Sequence, residues 1–356
     1  MAQFSALNRL IAQADRFRWS ASQSGFATPG PRGDRAKEWH HFCIFAGEIQ
    51  AIVNFNISAD TRPAAAPGSQ LARLVTLVYA GEKHGWDGDV ETFPERDVRI
   101  TSEGISLEFG HNALTYRDGE FHISVALENR PVTLDIRLTP ASLPLLMRSN
   151  APIGEGHINW LVVPRLRASG TIVSGKQVYR FEGAPAYHDH NWGAWLWGHD
   201  FAWEWGFGLP DDLANPWTLV FDRTTDRPRS TVLEMTLALW KGATLQRVFT
   251  QREVEAWPEG YLDTPQTPKY PRVMALLAPE RTTEVPRRLQ LRARSGEDYL
   301  EGSFEASHIA QVVIPNENDL ENTIINEVGG RIKIGGVVKG EEVDLDGNAI
   351  FEFLTG

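Results

Sequence analysis

The sequence has little cysteine, no long hydrophobic run and no cluster of positive charge. Its single cysteine, Cys43, cannot form a disulfide within the chain, so nothing indicates an oxidising compartment. No apolar run approaches the roughly 20 residues needed to span a bilayer. The first residues carry charges where a signal peptide would be apolar. We therefore expect a cytoplasmic protein.

The charge balance is acidic, with 46 Asp and Glu residues against 35 Lys and Arg residues and a formal net charge of -11. Binding to phosphate backbones needs a concentrated positive surface, so nucleic acid is not expected as a partner. The sequence also has no glycine-rich phosphate loop, no G-x-S-x-G element and no Cys-x-x-Cys pair. Phosphoryl transfer and serine hydrolysis therefore lose support, and we expect no cofactor.

The chain has 356 residues, of which 42% are hydrophobic. That length and composition suit one large or two medium globular domains. Residues 3–16 predict a short amphipathic helix, and residues 20–36 predict an irregular segment rich in Ser, Gly, Pro and Arg. The helix is predicted from apolar residues at helical spacing, which are Phe4, Leu7, Leu10, Ile11 and Ala14.

Beyond the helix, the hydrophobic pattern changes to period two, which is typical of β-strands. Residues 38–58 predict a hairpin that turns at Ala46-Gly47, and Asp118-Gly119 is a dipeptide that closes tight hairpins. A further hairpin is expected over 167–184, with Ser174-Gly175 at its turn. The remaining predicted strands are 71–81, 121–127, 132–138, 217–223, 233–239, 244–250, 271–277, 287–295, 324–335 and 348–354. Segments 60–69 and 82–97 and the dipeptides Gly329-Gly330 and Asp346-Gly347 are predicted to be loops or turns.

Many short alternating strands separated by turns favour antiparallel sandwiches or barrels. We therefore predict a mostly β protein, with two β halves that meet near residue 200.

Residues 187–208 concentrate large aromatic side chains and titratable groups in one short stretch. Aromatic walls are large and apolar, and a carboxyl group among them has its charged form disfavoured. This combination suits a pocket that protonates or orients an apolar substrate. The stretch contains Trp192, Trp195, Trp197, Trp203 and Trp205, together with His188, His190, His199, Asp189 and Asp200.

If this stretch is extended, successive side chains face opposite sides of the strand. Tyr187, Asp189 and Asn191 would then share one face, and His188, His190 and Trp192 the other. Asp189 would act as a general acid, with the Tyr187 hydroxyl as its hydrogen-bond partner. Indole rings would stabilise the cation formed by protonating an alkene, and water held by Asn191 or a histidine would add to that cation.

A metal site is the alternative interpretation of the histidines. His188 and His190 could bind a metal together with His199 or Asp200. A His-x-His pair without an established third ligand more often makes structural hydrogen bonds, so we predict no metal. Upstream, His157 and Trp160 could either reach the pocket or serve as edge and core residues.

These residues resemble the carotenoid 1,2-hydratase (hydroxyneurosporene synthase) superfamily, which also includes AttH-like proteins and lipocalin-like fungal Diels–Alderases. The most distinctive element is FEGAPAYHDHNWG at 181–193, with its Y-x-D-H-N-W-G core. EWHHF at 38–42 and NWLVVPRLRASGTI at 159–172 also carry the resemblance. Weaker support comes from W-x-W-G-F at 203–207 and VGGRIKIGG at 328–336.

The resemblance implies two lipocalin-like β domains with a largely apolar pocket. We place the N-terminal helix and irregular segment at 1–35, the first domain at 36–198 and the second at 199–356. The implied reaction is acid-initiated addition of water to a terminal isoprenoid double bond, without a cofactor. The implied catalytic residues are Asp189, Tyr187, His157 and Trp160. The residues expected to contact substrate are Asn191, Trp192, His188, His190, Trp203 and Trp205.

Two other functions remain open. A cyclase or Diels–Alderase-type pericyclase would use the same cavity for its shape, and a non-catalytic lipocalin-like protein would only bind a hydrophobic ligand. In each case the partner is an apolar small molecule. Peripheral contact of the 3–16 helix with a membrane would give access to such a substrate, although packing of this helix on the barrel is favoured. The sequence leaves the oligomeric state and the substrate open.

Overall fold

The N-terminal helix α1 covers residues 9–14 in the computed structural model. Ile11 is fully buried in the core of the first unit, whereas Phe4 and Leu7 of the predicted helix lie outside the described residues. The structure describes residues 9–16, 20–22, 25–27, 35–59, 70–101, 104–198, 200–263, 267–276, 284–317 and 320–355. The chain divides into two units, Met1–Leu196 and Trp197–Gly356. Both are built on antiparallel sheets, so the prediction of a mostly β protein with two lipocalin-like β domains and a short N-terminal helix is confirmed.

The first unit contains a twelve-stranded sheet, preceded by the short hairpin of β1 (Ser20–Ser22) and β2 (Gly25–Ala27). The sheet strands are β3 (Ala36–Ala46), β4 (Ile49–Ala59), β5 (Gln70–Ala80), β6 (Trp86–Pro94), β7 (Val98–Ile100), β8 (Ile105–Phe109), β9 (Asn112–Arg117), β10 (Glu120–Ala126), β11 (Val132–Pro140), β12 (Leu145–Ile153), β13 (Gly156–Ser174) and β14 (Gln177–Ala194). Helix α2 (Gly81–His84) and a 3-10 turn (Glu95–Asp97) connect some of them. Their spatial order is β6-β5-β4-β3-β14-β13-β11-β10-β9-β8-β7, with β12 paired to β13.

Local sequence explains the hairpins of this sheet. Asp118 and Gly119 both have positive φ, 56° and 88°, which is the backbone that a tight hairpin turn needs. The alternating residues on either side become β9 and β10. Gly175, with φ of 60°, turns the chain between β13 and β14. These two strands are 19 and 18 residues long, and they bring the Y-x-D-H-N-W-G element to the middle of the sheet.

The second unit contains a ten-stranded sheet. Its strands are β15 (Ala202–Pro210), β16 (Trp217–Thr225), β17 (Val232–Lys241), β18 (Thr244–Thr250), β19 (Val254–Tyr261), β20 (Lys269–Tyr270), β21 (Pro286–Ser295), β22 (Asp298–Pro315), β23 (Asn322–Val338) and β24 (Glu341–Thr355). Short 3-10 segments cover Gln251–Glu253 and Arg272–Leu276. The order is β18-β17-β16-β15-β24-β23-β22-β21-β19, and β20 pairs in parallel with β22. Among the described residues no helix has the length and apolar character that crossing a membrane requires.

Three local predictions were wrong. The predicted loop at 82–97 contains β6, whose charged residues Asp87 and Asp89 lie on an edge strand of the sheet, where solvent tolerates them. The predicted irregular segment at 20–36 contains the hairpin of β1 and β2. The predicted strand at 271–277 is a 3-10 segment over Arg272–Leu276.

Two predicted turns also lie inside strands. Gly329-Gly330 falls within β23 and Asp346-Gly347 within β24. A Cβ atom on Gly330 would meet the Glu305 carbonyl oxygen at 2.1 Å, and one on Gly347 would meet the Leu209 carbonyl oxygen at 1.9 Å. These glycines therefore allow neighbouring strands to approach closely, which is the other common use of glycine in a sheet.

Candidate functional site

Strand β14 presents two chemically different faces. It pairs with β3 in regular antiparallel register from Ala186 to Ala194, so its side chains alternate between the two sides of the sheet. We call the side with Tyr187, Asp189 and Asn191 the aspartate face. We call the side with His188, His190 and Trp192 the histidine face. The grouping predicted from the sequence is therefore the one that the structure has.

The aspartate face holds a buried carboxyl group. Tyr187 is fully buried, and Asp189 and Asn191 are only 2% and 7% exposed. The side-chain amide of Asn191 donates a hydrogen bond to Oδ1 of Asp189 at 2.7 Å. The amide therefore fixes the orientation of the carboxyl group.

Indole rings flank Asn191, the neighbour of Asp189 on this face. On β3, Trp39 lies directly opposite Asn191, and on β13, Trp160 lies opposite it from the other side. Residues that lie directly opposite each other share a face of the sheet, so both indoles belong to the aspartate face. The ring of Trp195 packs edge-on against Trp39, with centroids 5.4 Å apart. Asp189 is thus a buried acid in aromatic surroundings.

His41 lies opposite Asp189 on β3 and completes the aspartate face. Burial, followed by the charge of His188, lowers the pKa of His41 to about 3, so this ring is neutral near pH 7. The Asn54 amide donates a hydrogen bond to Nδ1 of His41 at 3.3 Å. The proton therefore resides on Nε2, which donates to the Cys43 sulfur at 3.0 Å.

The histidine face points into the core of the first unit. His188 stacks on Phe42 with ring centroids 4.1 Å apart, and its ring also contacts Phe121 at 4.9 Å. Trp192 lies 4.7 Å from the His190 ring and packs against the same core. Polar rings within such a core need hydrogen-bond partners.

Carboxylates supply partners for His190. Its Nε2 lies 2.7 Å from the Glu38 carboxylate, and its Nδ1 lies 3.1 Å from the Asp15 carboxylate. Burial by itself would lower the pKa of His190, but the Asp15 and Glu38 carboxylates outweigh burial and raise this pKa to about 9. His190 is therefore a positively charged ring between two acids.

Asp15 joins the helix segment to the sheet. Nε2 of His188 lies 2.8 Å from Asp15 Oδ2, and Nδ1 of His188 donates to the His41 carbonyl at 2.9 Å. Burial opposes ionisation of Asp15, but the neighbouring histidines, His188 first, hold its pKa well below the usual value. His40 donates from Nε2 to the Asp15 carbonyl at 3.0 Å, and burial lowers the pKa of His40 to about 4.

The same side chains meet the distance requirement for a metal site. Asp15, His40 and His188 each offer one ligand atom, and these atoms lie within 4.8 Å of one another. This donor set suits a divalent transition metal. Hydrogen bonds and ion pairs already account for the arrangement, so we assign it as a buried ionic network. The third ligand suggested by the sequence is not part of it, since Asp200 is exposed in the second unit and His199 lies outside the described residues.

The residues that were predicted to act together do not all lie on one face of one sheet. His157 lies opposite Ala194 and Trp160 opposite Asn191, which puts His157 on the histidine face and Trp160 on the aspartate face. A joint role for His157 and Asp189 is therefore not supported by the geometry. Trp203 and Trp205, predicted to contact substrate, belong to the second unit. They lie on the face of its sheet opposite the core residue Phe353.

The sequence patterns gave no role to five contributors, which are Asp15, Glu38, Trp39, His40 and His41. All five come from the first 41 residues, far along the chain from β14. Four of them belong to EWHHF, which carried the family resemblance without a predicted role. Asp15 follows α1 directly, where the helix dipole disfavours a carboxylate, and that mismatch was the available signal of a tertiary partner.

A separate cavity of 380 Å³ lies within the first unit. Trp86, Lys176 and Tyr179 line it, together with Asp87 and Arg130, which form a hydrogen-bonded ion pair through Nε of Arg130 at 2.9 Å. It includes none of the predicted site residues, and its charged lining is poorly suited to an apolar ligand.

Comparison with solved structures agrees with this architecture. The AttH-type protein of Nitrosomonas europaea superposes with a TM-score of 0.64 at 15% identity, over 95% of this chain and 98% of that one. The chain has the AttH-like fold. Kievitone hydratase from Nectria haematococca matches with a TM-score of 0.59 at 14% identity, over 95% and 94% of the two chains. CghA with Sch210972 matches with a TM-score of 0.62 at 12% identity, over 91% and 89%.

The resemblance inferred from Y-x-D-H-N-W-G is thus confirmed at the level of the AttH-like fold. No family model and no curated protein sequence matches the chain.

Proposed function

We propose that the protein is a cofactor-independent enzyme that adds water to a double bond of a linear polyene or isoprenoid-type substrate. The observation that carries this proposal is Asp189, a carboxyl group only 2% exposed on a sheet face that also holds Tyr187, Asn191 and two indoles. Burial disfavours the ionised form of a carboxyl group. Asp189 is therefore a suitable proton donor.

The reaction needs one proton and one water molecule. The Asp189 O–H gives its proton to one alkene carbon, and positive charge develops on the neighbouring carbon. The faces of Trp39 and Trp160 stabilise that charge, since indole is the strongest aromatic partner for a cation. Water then bonds to the charged carbon and loses a proton, which returns to the Asp189 carboxylate.

The other side chains have supporting roles. Asn191, through its hydrogen bond to Oδ1, holds the carboxyl group in one orientation, which is the positioning that proton transfer requires. Tyr187 would hydrogen-bond to the acid or to the incoming water. His188, His190 and Trp192, on the histidine face, hold the strand that carries the acid and do not contact substrate. Kievitone hydratase, which shares the fold, is consistent with hydration chemistry on this scaffold.

Cyclisation is the second candidate, because the same fold is found in CghA with Sch210972. A pericyclase would need the shape of the aromatic pocket and a few hydrogen bonds, but no proton donor. Its product would have the mass of its substrate, whereas hydration adds one water.

The test is incubation of the purified protein in D2O with linear isoprenoids, for example lycopene and geranylgeraniol, followed by mass spectrometry of the extracted compounds. Hydration predicts a product heavier by one D2O, with one deuterium bonded to carbon. An isomer of unchanged mass would favour cyclisation. A compound that binds and is recovered unaltered would favour the binding protein.

A further inference from the structure

The cavity of 380 Å³ in the first unit is enclosed by three turns, which connect β5 to β6, β10 to β11 and β13 to β14. Nε of Arg130, in the second turn, donates a hydrogen bond to the Asp87 carboxylate of β6 at 2.9 Å. The backbone N–H of Gly175, in the third turn, donates to the Pro131 carbonyl of the second turn at 2.9 Å. The three turns are therefore joined to one another, and we call them the cavity rim.

The cavity lies at the end of the sheet on the side of the core. Tyr179 of β14 lies opposite the core residue Ile172 and packs against the core. Ser174 of β13 lies opposite the core residue Val132 on one side and opposite Gln177 on the other. Residues that lie directly opposite each other share a face of the sheet. Ser174, Gln177 and Tyr179 are therefore polar side chains on the core side, at the point where the apolar core ends.

The polar groups of this lining are available to a ligand. Within the part of the chain that the structure describes, the side chains of five cavity residues form no hydrogen bond or ion pair. They are His84, Ser174, Lys176, Gln177 and Tyr179. Small-molecule sites are concave and place a few polar groups so that they converge on the ligand. The cavity rim has this arrangement, because its free hydroxyl, amide and ammonium groups surround one space.

The cavity has one positive charge that the protein does not neutralise. Nε and Nη2 of Arg130 both donate to Oδ1 of Asp87, so these two residues balance each other. Lys176 is exposed in the third turn and has no acidic partner among the described residues. This local excess occurs in a chain with a formal net charge of -11. A negatively charged group is therefore the expected partner of Lys176.

The donor set suits a carboxylate better than a phosphate group. Phosphate groups are commonly bound by the N-terminus of a helix or by the fork of an arginine. The fork of Arg130 is already occupied by Asp87. One ammonium group with neighbouring hydroxyl and amide donors matches the single charge and two oxygens of a carboxylate.

The remaining lining and the size of the cavity favour an aromatic ligand. Tyr179 and Trp86 line the cavity together with Ala80, which belongs to the core. Aromatic side chains offer large flat apolar surfaces on which another ring can stack. Small-molecule sites range from about 300 to 1,000 Å³, so a cavity of 380 Å³ suits one or two rings and not a long polyene.

We propose that this cavity is a binding site for a small aromatic carboxylic acid. The ligand carboxylate pairs with the Lys176 ammonium group and accepts hydrogen bonds from Ser174 and Gln177, while its ring packs on Tyr179. The site is separate from Asp189, which lies on the other face of the sheet. It uses a different ligand class and does not depend on the proposed hydration.

The first experiment is isothermal titration calorimetry of the full-length protein with benzoate, trans-cinnamate and indole-3-acetate. Each acid is compared with its neutral primary amide, which has nearly the same shape. We expect at least one of the three acids to show saturable one-to-one binding, at least tenfold tighter than its amide. If none of the acids binds, or if the amides bind as tightly as the acids, the proposal is wrong.

The second experiment replaces the lysine. Lys176→Gln should weaken binding of the acid at least tenfold, whereas Lys176→Arg should retain most of it. The matched control is Lys83→Gln, which removes an exposed lysine of α2 that does not line the cavity and should leave the affinity unchanged. Equal weakening by Lys176→Gln and Lys83→Gln would show that only the overall charge matters, which would overturn the assignment of Lys176.

The third experiment locates the ligand by photolabelling with 4-azidobenzoate and peptide mass spectrometry. We expect labelled peptides from residues 80–87 or 174–179, and an excess of the unlabelled acid that binds should suppress this labelling. Labelling confined to other parts of the chain would place the carboxylate elsewhere and would contradict the proposed site.

Discussion

Glu38 and His190 form a buried ion pair, with Nε2 of His190 2.7 Å from the Glu38 carboxylate. Their side chains are 2% and 0% exposed. The second nitrogen of the ring reaches Asp15, 3.1 Å away, so two acids hold one cation inside the first unit. The pair joins β3 to β14, the strand that carries Asp189, and it therefore bears on both stability and the geometry of the proposed site.

We predict that Glu38→Gln destabilises the protein strongly. The substitution keeps the shape of the side chain but leaves His190 with one carboxylate fewer, and breaking a buried ion pair costs about 3–5 kcal/mol. The free energy of unfolding, measured by urea denaturation, should fall by about 3–5 kcal/mol. The control is Glu108→Gln, which removes a more exposed pair with Arg99 at 3.7 Å and should cost less than about 1 kcal/mol. If Glu38→Gln and Glu108→Gln lowered the free energy of unfolding equally, the assignment of Glu38 and His190 as a stabilising buried ion pair would be wrong.

Stability should pass through a maximum near pH 6.5. The pKa of His190 is raised to about 9, so its contribution is complete below the unfolded value of 6.5 and is lost as the pH rises through 9. The pKa of His40 is lowered to about 4. The unfolded chain therefore binds more protons between pH 4 and 6.5, and stability falls as the pH falls through that range.

The decrease in stability above pH 6.5 can be assigned to one residue, His190. The pKa of His190 is 6.5 in the unfolded chain and about 9 in the folded protein. At 1.36 kcal/mol for a tenfold change, this difference contributes on the order of 3 kcal/mol to the free energy of unfolding. Urea midpoints measured from pH 5 to 10 should show this decrease in the wild-type protein and lack it in His190→Gln. If His190→Gln showed the same decrease in stability at alkaline pH as the wild-type protein, another group would be responsible for that decrease.

A matched pair of glycine substitutions tests the close packing of β23. In Gly330→Ala the new Cβ would meet the Glu305 carbonyl oxygen at 2.1 Å, whereas in Gly335→Ala the nearest atom is the Val343 carbonyl oxygen at 3.8 Å. Overpacking costs about 1–3 kcal/mol. The thermal unfolding temperature should therefore fall clearly only for Gly330→Ala. If both substitutions lowered the unfolding temperature equally, the loss of glycine's backbone freedom, and not the contact with the neighbouring strand, would explain the effect.

Local patterns predicted the elements whose evidence lies within a few residues. The alternation over 121–127 and the Asp118-Gly119 turn gave the hairpin of β9 and β10. The same period of two grouped Tyr187, Asp189 and Asn191 correctly. The same period of two argues against a joint role for His157 and Trp160, because residues three apart face opposite sides of a strand.

The remaining features depend on contacts that local patterns do not contain. Asp15 is 173 residues from His188, with which it forms a hydrogen bond, and Glu38 is 152 residues from His190. The glycines of β23 and β24 resemble turn signals until the neighbouring strand is in place.

The most direct test of the central claim compares Asp189→Asn with Asp135→Asn, which changes an exposed aspartate of β11 in the same unit. The measurement is the rate of deuterium transfer from D2O to carbon of a linear isoprenoid that the wild-type protein hydrates. We expect Asp189→Asn to lose at least a hundredfold in rate, as removal of a general acid does, while it still binds the isoprenoid, and Asp135→Asn to retain the wild-type rate. Deuterium transfer at the wild-type rate by Asp189→Asn would show that Asp189 is not the proton donor.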